Sequence, residues 1–165
     1  MKTVFAPVMF LCVSLLSGCV FQGHLYPVQG PLSTATPPPV FPATVKGGVN
    51  PQSFSAVLAN GETFKGPWTS VSSEKRRLTD PPASTPASQL KTAWDTVYGQ
   101  GFYTAHILGT KFFAQTTLTG SKGTVLQVEI YRQVHDSDFD AHNAAPLDIK
   151  GVAQDDKGNV YKLVL

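Results

Sequence analysis

The chain has 165 residues and a formal net charge of +2, from 13 basic and 11 acidic side chains. This near-neutral balance gives no sign of the basic face typical of nucleic-acid-binding domains, and the one local basic cluster, Lys75-Arg76-Arg77, is expected to be a solvated loop, so no nucleic-acid partner is expected. The two cysteines, Cys12 and Cys19, both lie near the N-terminus. The rest of the chain therefore has no disulfide available, and its stability must come from a packed core.

Residues 1–18 show the three parts of a secretory signal peptide. Lys2 gives a short positive start, the run Thr3–Leu16 is almost entirely apolar, and the small residues Ser17 and Gly18 follow. The apolar run has 14 residues, whereas a helix that spans the hydrocarbon needs about 20. We therefore expect a leader that is removed rather than a permanent transmembrane helix.

The segment Leu16-Ser17-Gly18-Cys19 resembles the lipobox of bacterial prolipoproteins. The resemblance implies cleavage before Cys19 and covalent acyl chains, such as palmitate, on Cys19, with no other cofactor. Two or more chains hold a protein stably on a membrane, since each buried methylene contributes about 0.8 kcal/mol. In a diderm host the resemblance also implies sorting by the next residue. Val20, rather than aspartate, favours the outer membrane.

Residues 19–51 are rich in proline, with small and polar residues between. Because proline fixes φ and donates no hydrogen bond, this stretch is predicted to be an extended linker after the lipidated cysteine. At about 3.1 Å per residue, the stretch Val20–Gly48 within it could reach roughly 90 Å. In an alternative interpretation, the apolar segment Leu25-Tyr26-Pro27-Val28 docks on the domain.

Residues 52–165 show the pattern of a β-rich globular domain. Two predicted strands, Ser53–Ala59 and Glu62–Val71, flank Asn60-Gly61, a strong signal for a tight hairpin. Pro67 is expected to interrupt the second strand or to place it at an edge. The polar, proline-containing residues 72–87 are predicted to form a loop.

A single helix is predicted over Ser88–Tyr98. Ser88 is a suitable N-cap, and Gly99 is suited to end the helix. Between them, four apolar residues follow helical spacing: Leu90, Ala93, Trp94 and Val97.

Further strands are predicted towards the C-terminus: Phe102–Leu108, Lys111–Thr119, Thr124–Gln133, Asp148–Gln154 and Asn159–Leu165. The third of these alternates most clearly, with Leu126, Val128 and Ile130 on one face. Residues 155–158 form a predicted turn in which Gly158 takes positive φ. The fold class expected is mainly β, a small antiparallel barrel or sandwich of about seven strands, with one short helix packed across one end.

Several segments of the mature chain are similar to small uncharacterised envelope lipoproteins of Gram-negative bacteria. They are Leu25–Leu32, Ala93–Gly99 and Gly151–Asp155. This resemblance extends over most of the mature chain and implies an envelope location. It brings no catalytic residues with it.

The densest polar cluster combines carboxylates and imidazoles: His135, Asp136, Asp138, Asp140 and His142. Alternating aspartates offer oxygen ligands to a hard cation, and histidines suit zinc or copper. The start of the cluster resembles an EF-hand loop, but Ala141 and Leu147 stand where that loop needs glycine and glutamate. The alternative interpretation is a solvated loop after a strand.

Five aromatic residues lie in or around the predicted helix and the strand after it: Trp68, Trp94, Tyr98, Phe102 and Tyr103. Exposed together, they would form a binding patch for a glycan or a protein. The alternative, which we favour, is that the aromatic residues around the helix pin it to the sheet, since large aromatics dominate the cores of small domains.

Catalytic motifs give little support to an enzyme. No serine stands in a Gly-x-Ser-x-Gly elbow. His106 falls in a predicted apolar strand, where a packed interior position is expected rather than a general base. A hydrolase with a dispersed site would need His106 in a cleft with Asp95 or Ser70 within reach. Glu62 and Glu129 belong to different hairpins.

The sequence therefore predicts a membrane-anchored envelope lipoprotein that acts by binding or scaffolding, with an envelope protein or peptidoglycan as the expected partner. The alternatives are an envelope hydrolase, and a metal or ligand carrier that uses the segment His135–His142.

Overall fold

The computed structural model describes residues 20–47, 52–71, 86–108, 113–132 and 149–165. These residues form one antiparallel sheet whose strands are β1 (Val20–Gln29), β2 (Phe41–Lys46), β3 (Ser53–Val57), β4 (Thr63–Pro67), β5 (Thr69–Val71), β6 (Phe113–Thr119), β7 (Val125–Arg132), β8 (Ile149–Asp155) and β9 (Val160–Val164). The helix α1 spans Pro86–Tyr98, and Pro31–Thr34 forms a short 3₁₀ turn after β1.

The sheet curls into a nearly closed barrel. Its strand order is β4-β3-β2-β1-β9-β8-β7-β6-β5, so β4 and β5 lie at opposite ends of the order although only Trp68 separates them. Counted as one bent strand, they bring the total to eight. The Thr116 hydroxyl donates to the Pro67 carbonyl at 2.8 Å, and the Ser121 amide donates to the Thr63 carbonyl at 3.0 Å. The predicted mainly β fold is confirmed, and of the two architectures expected it is the barrel.

Strict alternation of side chains fills the barrel interior. In β7, Leu126, Val128 and Ile130 point inwards, as their spacing predicts. The core that they join contains large residues from most strands, among them Leu25, Phe41, Phe54, Phe64, Trp68, Leu118, Tyr161 and Leu163. An apolar face of a sheet must be buried against something. Here the sheet closes around its own inward-pointing apolar side chains and removes them from water.

The turns predicted from glycine positions are present. Gly61 in the β3–β4 turn has φ +75°, and Gly158 in the β8–β9 turn has φ +84°. Such backbone conformations favour glycine because it has no β-carbon. Pro67 ends β4 and Trp68 leaves the ladder before β5 begins, so the predicted interruption at this proline is confirmed.

The extended linker predicted for residues 19–51 is wrong, because two strands of the barrel, β1 and β2, lie within that segment. β1 is a central strand, paired with β2 on one side and β9 on the other, and β2 pairs with β3. The prolines mislead because they sit where a strand tolerates them. Pro27 stands beside an irregularity in the β1–β9 register, the kind of position to which proline is confined in sheets.

The helix α1 lies against the outer face of the barrel rather than across one end. Its Leu90, Ala93 and Trp94 pack on Val152 and Val160 of β8 and β9. It begins at Pro86, so Ser88 lies within the helix and is not its N-cap. No helix within the described ranges is long and apolar enough to cross a membrane.

The strand predicted over Phe102–Leu108 is also wrong, because Tyr103–Ile107 form a turn of π-helix. Gly99 and Gly101, at φ +109° and +84°, redirect the chain after α1. Tyr103 and Ile107 are both buried against the same outer core as α1. Their spacing of four residues is helical, and it outweighs the apolar composition that suggested a strand.

Candidate functional site

One end of the barrel collects buried polar groups. The β3–β4, β6–β7 and β8–β9 turns meet there with the 3₁₀ turn that follows β1. The carboxylates of Glu62 and Asp155 are buried at this end, with exposed fractions of 0% and 4%. Buried carboxylates demand hydrogen-bond partners, so their surroundings decide what they can do.

Glu62 is saturated with donors. Its Oε1 accepts from the amides of Lys122 and Thr124 at 3.1 and 2.9 Å, and its Oε2 accepts from the Thr124 hydroxyl at 2.7 Å and the Asn60 amide group at 3.4 Å. Burial raises the pKa of Glu62, but the hydrogen bonds from Thr124, Asn60 and Lys122 outweigh this effect. The pKa is lowered from the ordinary 4.5 to about 2. Glu62 is therefore ionised at neutral pH.

Asp155 organises the β8–β9 turn in the same way. Its Oδ1 accepts from the amides of Lys157 and Asn159, and its Oδ2 accepts from the Asn159 side chain at 2.8 Å and the Tyr161 hydroxyl at 2.7 Å. The side-chain Oδ1 of Asn159 accepts from the Leu32 amide at 2.9 Å, which ties the turn to the chain after β1. Burial, and then the hydrogen bond to Asp155, raise the pKa of Tyr161.

This polar end holds three turns together and is poorly arranged for acid–base catalysis. Glu62 is ionised and its oxygens face protein donors, so it has no proton to give at neutral pH. Lys157 Nζ lies 4.0 Å from Glu62 Oε2, but the lysine side chain is 59% exposed. An ion pair so exposed on one side adds little to stability.

A second polar contact fixes the helix to the barrel. The Trp94 indole N–H donates to Glu129 Oε2 at 2.6 Å, and both side chains are fully buried between α1 and β7. The rings of Trp94, Tyr98 and Phe102 stack on one another with centroids 4.8–5.8 Å apart. Lys162 Nζ lies 5.4 Å from the centre of the Tyr98 ring. The outward side of β7 is thus covered by an aromatic layer.

The aromatic residues suggested for a binding patch do not form one. Trp68 lies in the barrel core against Phe54, whereas Trp94 and Tyr103 lie in the outer core, and all three are buried. Tyr98 and Phe102 are only partly exposed, and the Tyr98 hydroxyl is engaged with the backbone of Gly151. The burial needed to hold α1 on the sheet leaves no exposed surface shared by the five, and the packing role favoured for the aromatics around the helix is the one that the structure shows.

The groups considered for a hydrolase are not assembled. His106 is exposed and packs against the Phe102 ring, with centroids 4.6 Å apart. Asp95 Oδ1 instead accepts a hydrogen bond from the Tyr103 amide at 2.9 Å. Ser70 lies in β5, opposite Ala114 of β6. The interior position expected for His106 is wrong, because the segment is helical and turns this side chain to solvent.

The two glutamates, Glu62 and Glu129, lie on opposite sides of the sheet. Glu62 is at the polar end among the turns, and Glu129 is on the outer face of β7 beneath Trp94. No arrangement for paired-carboxylate catalysis results.

The suggested metal ligands and the lipidation site lie outside the described residues. They are His135, Asp136, Asp138, Asp140 and His142 for the metal, and Cys19 for the acyl chains. Within the described ranges, no group of three or more histidine, cysteine or carboxylate side chains could hold a metal ion. Metal binding by the segment His135–His142 stays a prediction.

Sequence reasoning missed the polar end of the barrel. The sequence pattern predicts only turns at Asn60 and Asp155 and assigns no partner to Glu62. Each of the three residues stands in or beside a glycine-containing hairpin turn. The signal that could have found them is the repeated Asx or Glu residue at the hairpin turns. Their convergence depends on the barrel closing, which no local pattern encodes.

Comparison with protein-family models, with curated proteins and with solved structures finds no match for the chain.

Proposed function

We propose that the chain is a bacterial envelope lipoprotein, cleaved before Cys19, acylated on that residue and held on the outer membrane of a diderm host. Its barrel acts by binding or scaffolding in the cell envelope. The observation that supports this proposal is the place of β1 in the barrel. Val20, the residue after Cys19, pairs with Lys46 of β2, and β1 has β2 and β9 as its two neighbours. Cleavage before Cys19 would therefore leave this strand whole.

The anchor is tested by metabolic labelling with a palmitate analogue. Cys19→Ala is expected to abolish labelling and to leave the uncleaved precursor, because the lipobox thiol that would carry the acyl chain is absent. Cys12→Ala is the matched control, since it removes the other cysteine of the leader and leaves the lipobox intact. Labelled Cys19→Ala protein, or a mature mass unchanged by the substitution, would contradict the proposal.

The membrane is tested by fractionation. Val20→Asp is expected to retain the protein in the inner membrane, because the prolipoprotein resemblance implies sorting by this position. Val20→Ser is the control and is expected to leave the protein in the outer membrane. The Val20 side chain is 50% exposed, so neither change should disturb the barrel. Equal distribution of the two variants would contradict the outer-membrane assignment.

The binding role is tested by crosslinking the anchored protein in cells and identifying what is captured. We expect a specific envelope protein or a peptidoglycan fragment. Equal capture by the wild-type protein and by a control in which residues 1–20 are fused to an unrelated domain would show that the barrel does not select a partner.

A further inference from the structure

The outer surface formed by β9, β1 and β2 carries several exposed apolar side chains. We call it the β1 face. Five of its side chains are large, apolar and 38–50% exposed: Val20, Tyr26, Val28, Val40 and Val164. Contiguous apolar surface of this kind marks an interaction site more often than scattered single residues do.

The register of the strands brings Val28, Val40 and Val164 near Tyr26. Val28 is the next outward residue of β1, Val164 lies two residues from Lys162, which pairs with Tyr26, and Val40 precedes Phe41, which pairs with Leu25. Val20 lies apart from them, because the outward side chains between it and Tyr26 are Gln22 and His24. α1 covers the neighbouring part of the exterior on β8 and β9, so the cluster around Tyr26 lies beside the helix.

The charge of the β1 face has one sign. β1, β2 and β9 contain no aspartate or glutamate, and the charged residues that they present are Lys46 and Lys162. Lysine stems lie along apolar surface while their ammonium groups reach outwards. Valines with one tyrosine and flanking lysines are the composition expected at the boundary between acyl chains and anionic headgroups.

The position of the face relative to the proposed anchor argues for the same partner. Val20 is the first residue of β1 and is joined by a peptide bond to Cys19. β1 then runs for 10 residues, so Val28 lies about 26 Å along the strand from Val20 at roughly 3.3 Å per residue. Without a spacer, an acylated Cys19 holds β1 close to the bilayer.

We infer that the β1 face lies flat on the membrane, with its valines and Tyr26 at the level of the glycerol groups and Lys46 among lipid phosphates. This inference rests on the proposed acylation of Cys19. The acyl chains supply one attachment and the β1 face a second, which together fix the orientation of the barrel. The polar end and the strands opposite β1 then point away from the lipid.

Depth-dependent quenching tests the orientation in the acylated full-length protein. A fluorescent label is placed on Val28→Cys and, in a separate variant, on Thr117→Cys, in vesicles of equimolar phosphatidylethanolamine and phosphatidylglycerol that carry a lipid-borne quencher. Thr117 is exposed on β6, which lies four strands from β1 in either direction around the barrel. We expect quenching of the Val28 label to be several times stronger than that of the Thr117 label.

Charge reversal tests the contribution of the lysines. Lys46→Glu is expected to reduce quenching of the Val28 label on these vesicles, because its carboxylate faces anionic phosphates. Lys65→Glu is the matched control, since Lys65 is an exposed lysine of β4, three strands away. An equal effect of the two reversals would overturn the role of Lys46 and the inference with it.

Equal quenching of the Val28 and Thr117 labels in a palmitate-labelled protein would overturn the inference alone. If the wild-type chain carried no palmitate, the proposed function would fail as well. A protein crosslinked specifically through position 28, with equal quenching of both labels, would also overturn the inference and assign the β1 face to a protein partner.

Discussion

Burial and charge oppose each other most directly at Glu62. An isolated buried carboxylate would be neutralised, because desolvation disfavours its charged form. Here four donors from Asn60, Lys122 and Thr124 converge on it, and the charged form is the stable one. The residue is therefore a point at which the β3–β4 and β6–β7 turns depend on each other.

Glu62→Gln is expected to destabilise the protein at neutral pH. In the wild type, the Asn60 amide group donates to Glu62 Oε2. A glutamine amide nitrogen in the place of this oxygen is also a donor, so the two N–H groups would face each other without an acceptor. Thermal unfolding followed by circular dichroism measures the loss. Asp156→Asn is the control, because Asp156 is an exposed carboxylate in the neighbouring turn.

The same residue predicts a pH dependence. The pKa of Glu62 is about 2 in the folded protein against 4.5 ordinarily, so the folded state favours the ionised form. Its stabilising effect is complete above pH about 4.5 and is lost as the pH falls towards about 2. The difference in melting temperature between wild type and Glu62→Gln should therefore shrink over this range. A difference in melting temperature that did not change with pH would show that the negative charge of Glu62 does not contribute to stability.

At the scale of elements, the sequence predicted hairpins well and predicted the first strands poorly. Asn60-Gly61 and Gly158 mark turns by local chemistry alone, and both turns are present. β1 and β2 carry the inward alternation of Leu25, Phe41 and Val45, but prolines between them suggested a linker. Whether such a segment pairs depends on a distant partner, here β9, which local reading does not supply.

Gly23→Ala tests whether β1 is integral to the barrel. A β-carbon at this position would overlap the Val164 carbonyl oxygen and lie 3.0 Å from the Leu165 Cα, forcing β1 and the C-terminal strand apart. We expect a loss of about 1–3 kcal/mol in the free energy of unfolding, as for other overpacked sites. Urea denaturation measures it.

The control for that change is Gln22→Ala, the adjacent residue, whose side chain is exposed. It is expected to leave stability nearly unchanged. If residues 20–29 were a linker, both variants would match the wild type, so equal midpoints would contradict the barrel assignment of β1.

At the scale of the whole molecule, two cores share one sheet. Trp68 lies in the barrel core and Trp94 in the core beneath α1, and these are the only tryptophans in the chain. Both cores use residues of β7, β8 and β9, such as Val128 inside and Tyr131 outside. Loss of the sheet must therefore release both cores.

We expect the helix and the barrel to unfold together. In a Trp68→Phe variant, Trp94 reports on the helix contact by fluorescence while circular dichroism reports on the strands. Coincident urea midpoints are predicted for the two signals, as in a cooperative two-state transition. Fluorescence that changed at lower urea than circular dichroism would show that α1 detaches from an intact barrel.

The pairing of β1 with β9 also constrains when the molecule can become native. His24 lies opposite Val164, so nearly the whole chain must be available before the first strand has both neighbours. Such long-range closure gives a high contact order and slow folding. A chain that crosses a membrane from its N-terminus emerges with β1 unpaired until β9 follows. Under the proposed export, translocation is expected to be completed before folding, with a chaperone shielding the emerging edge from aggregation.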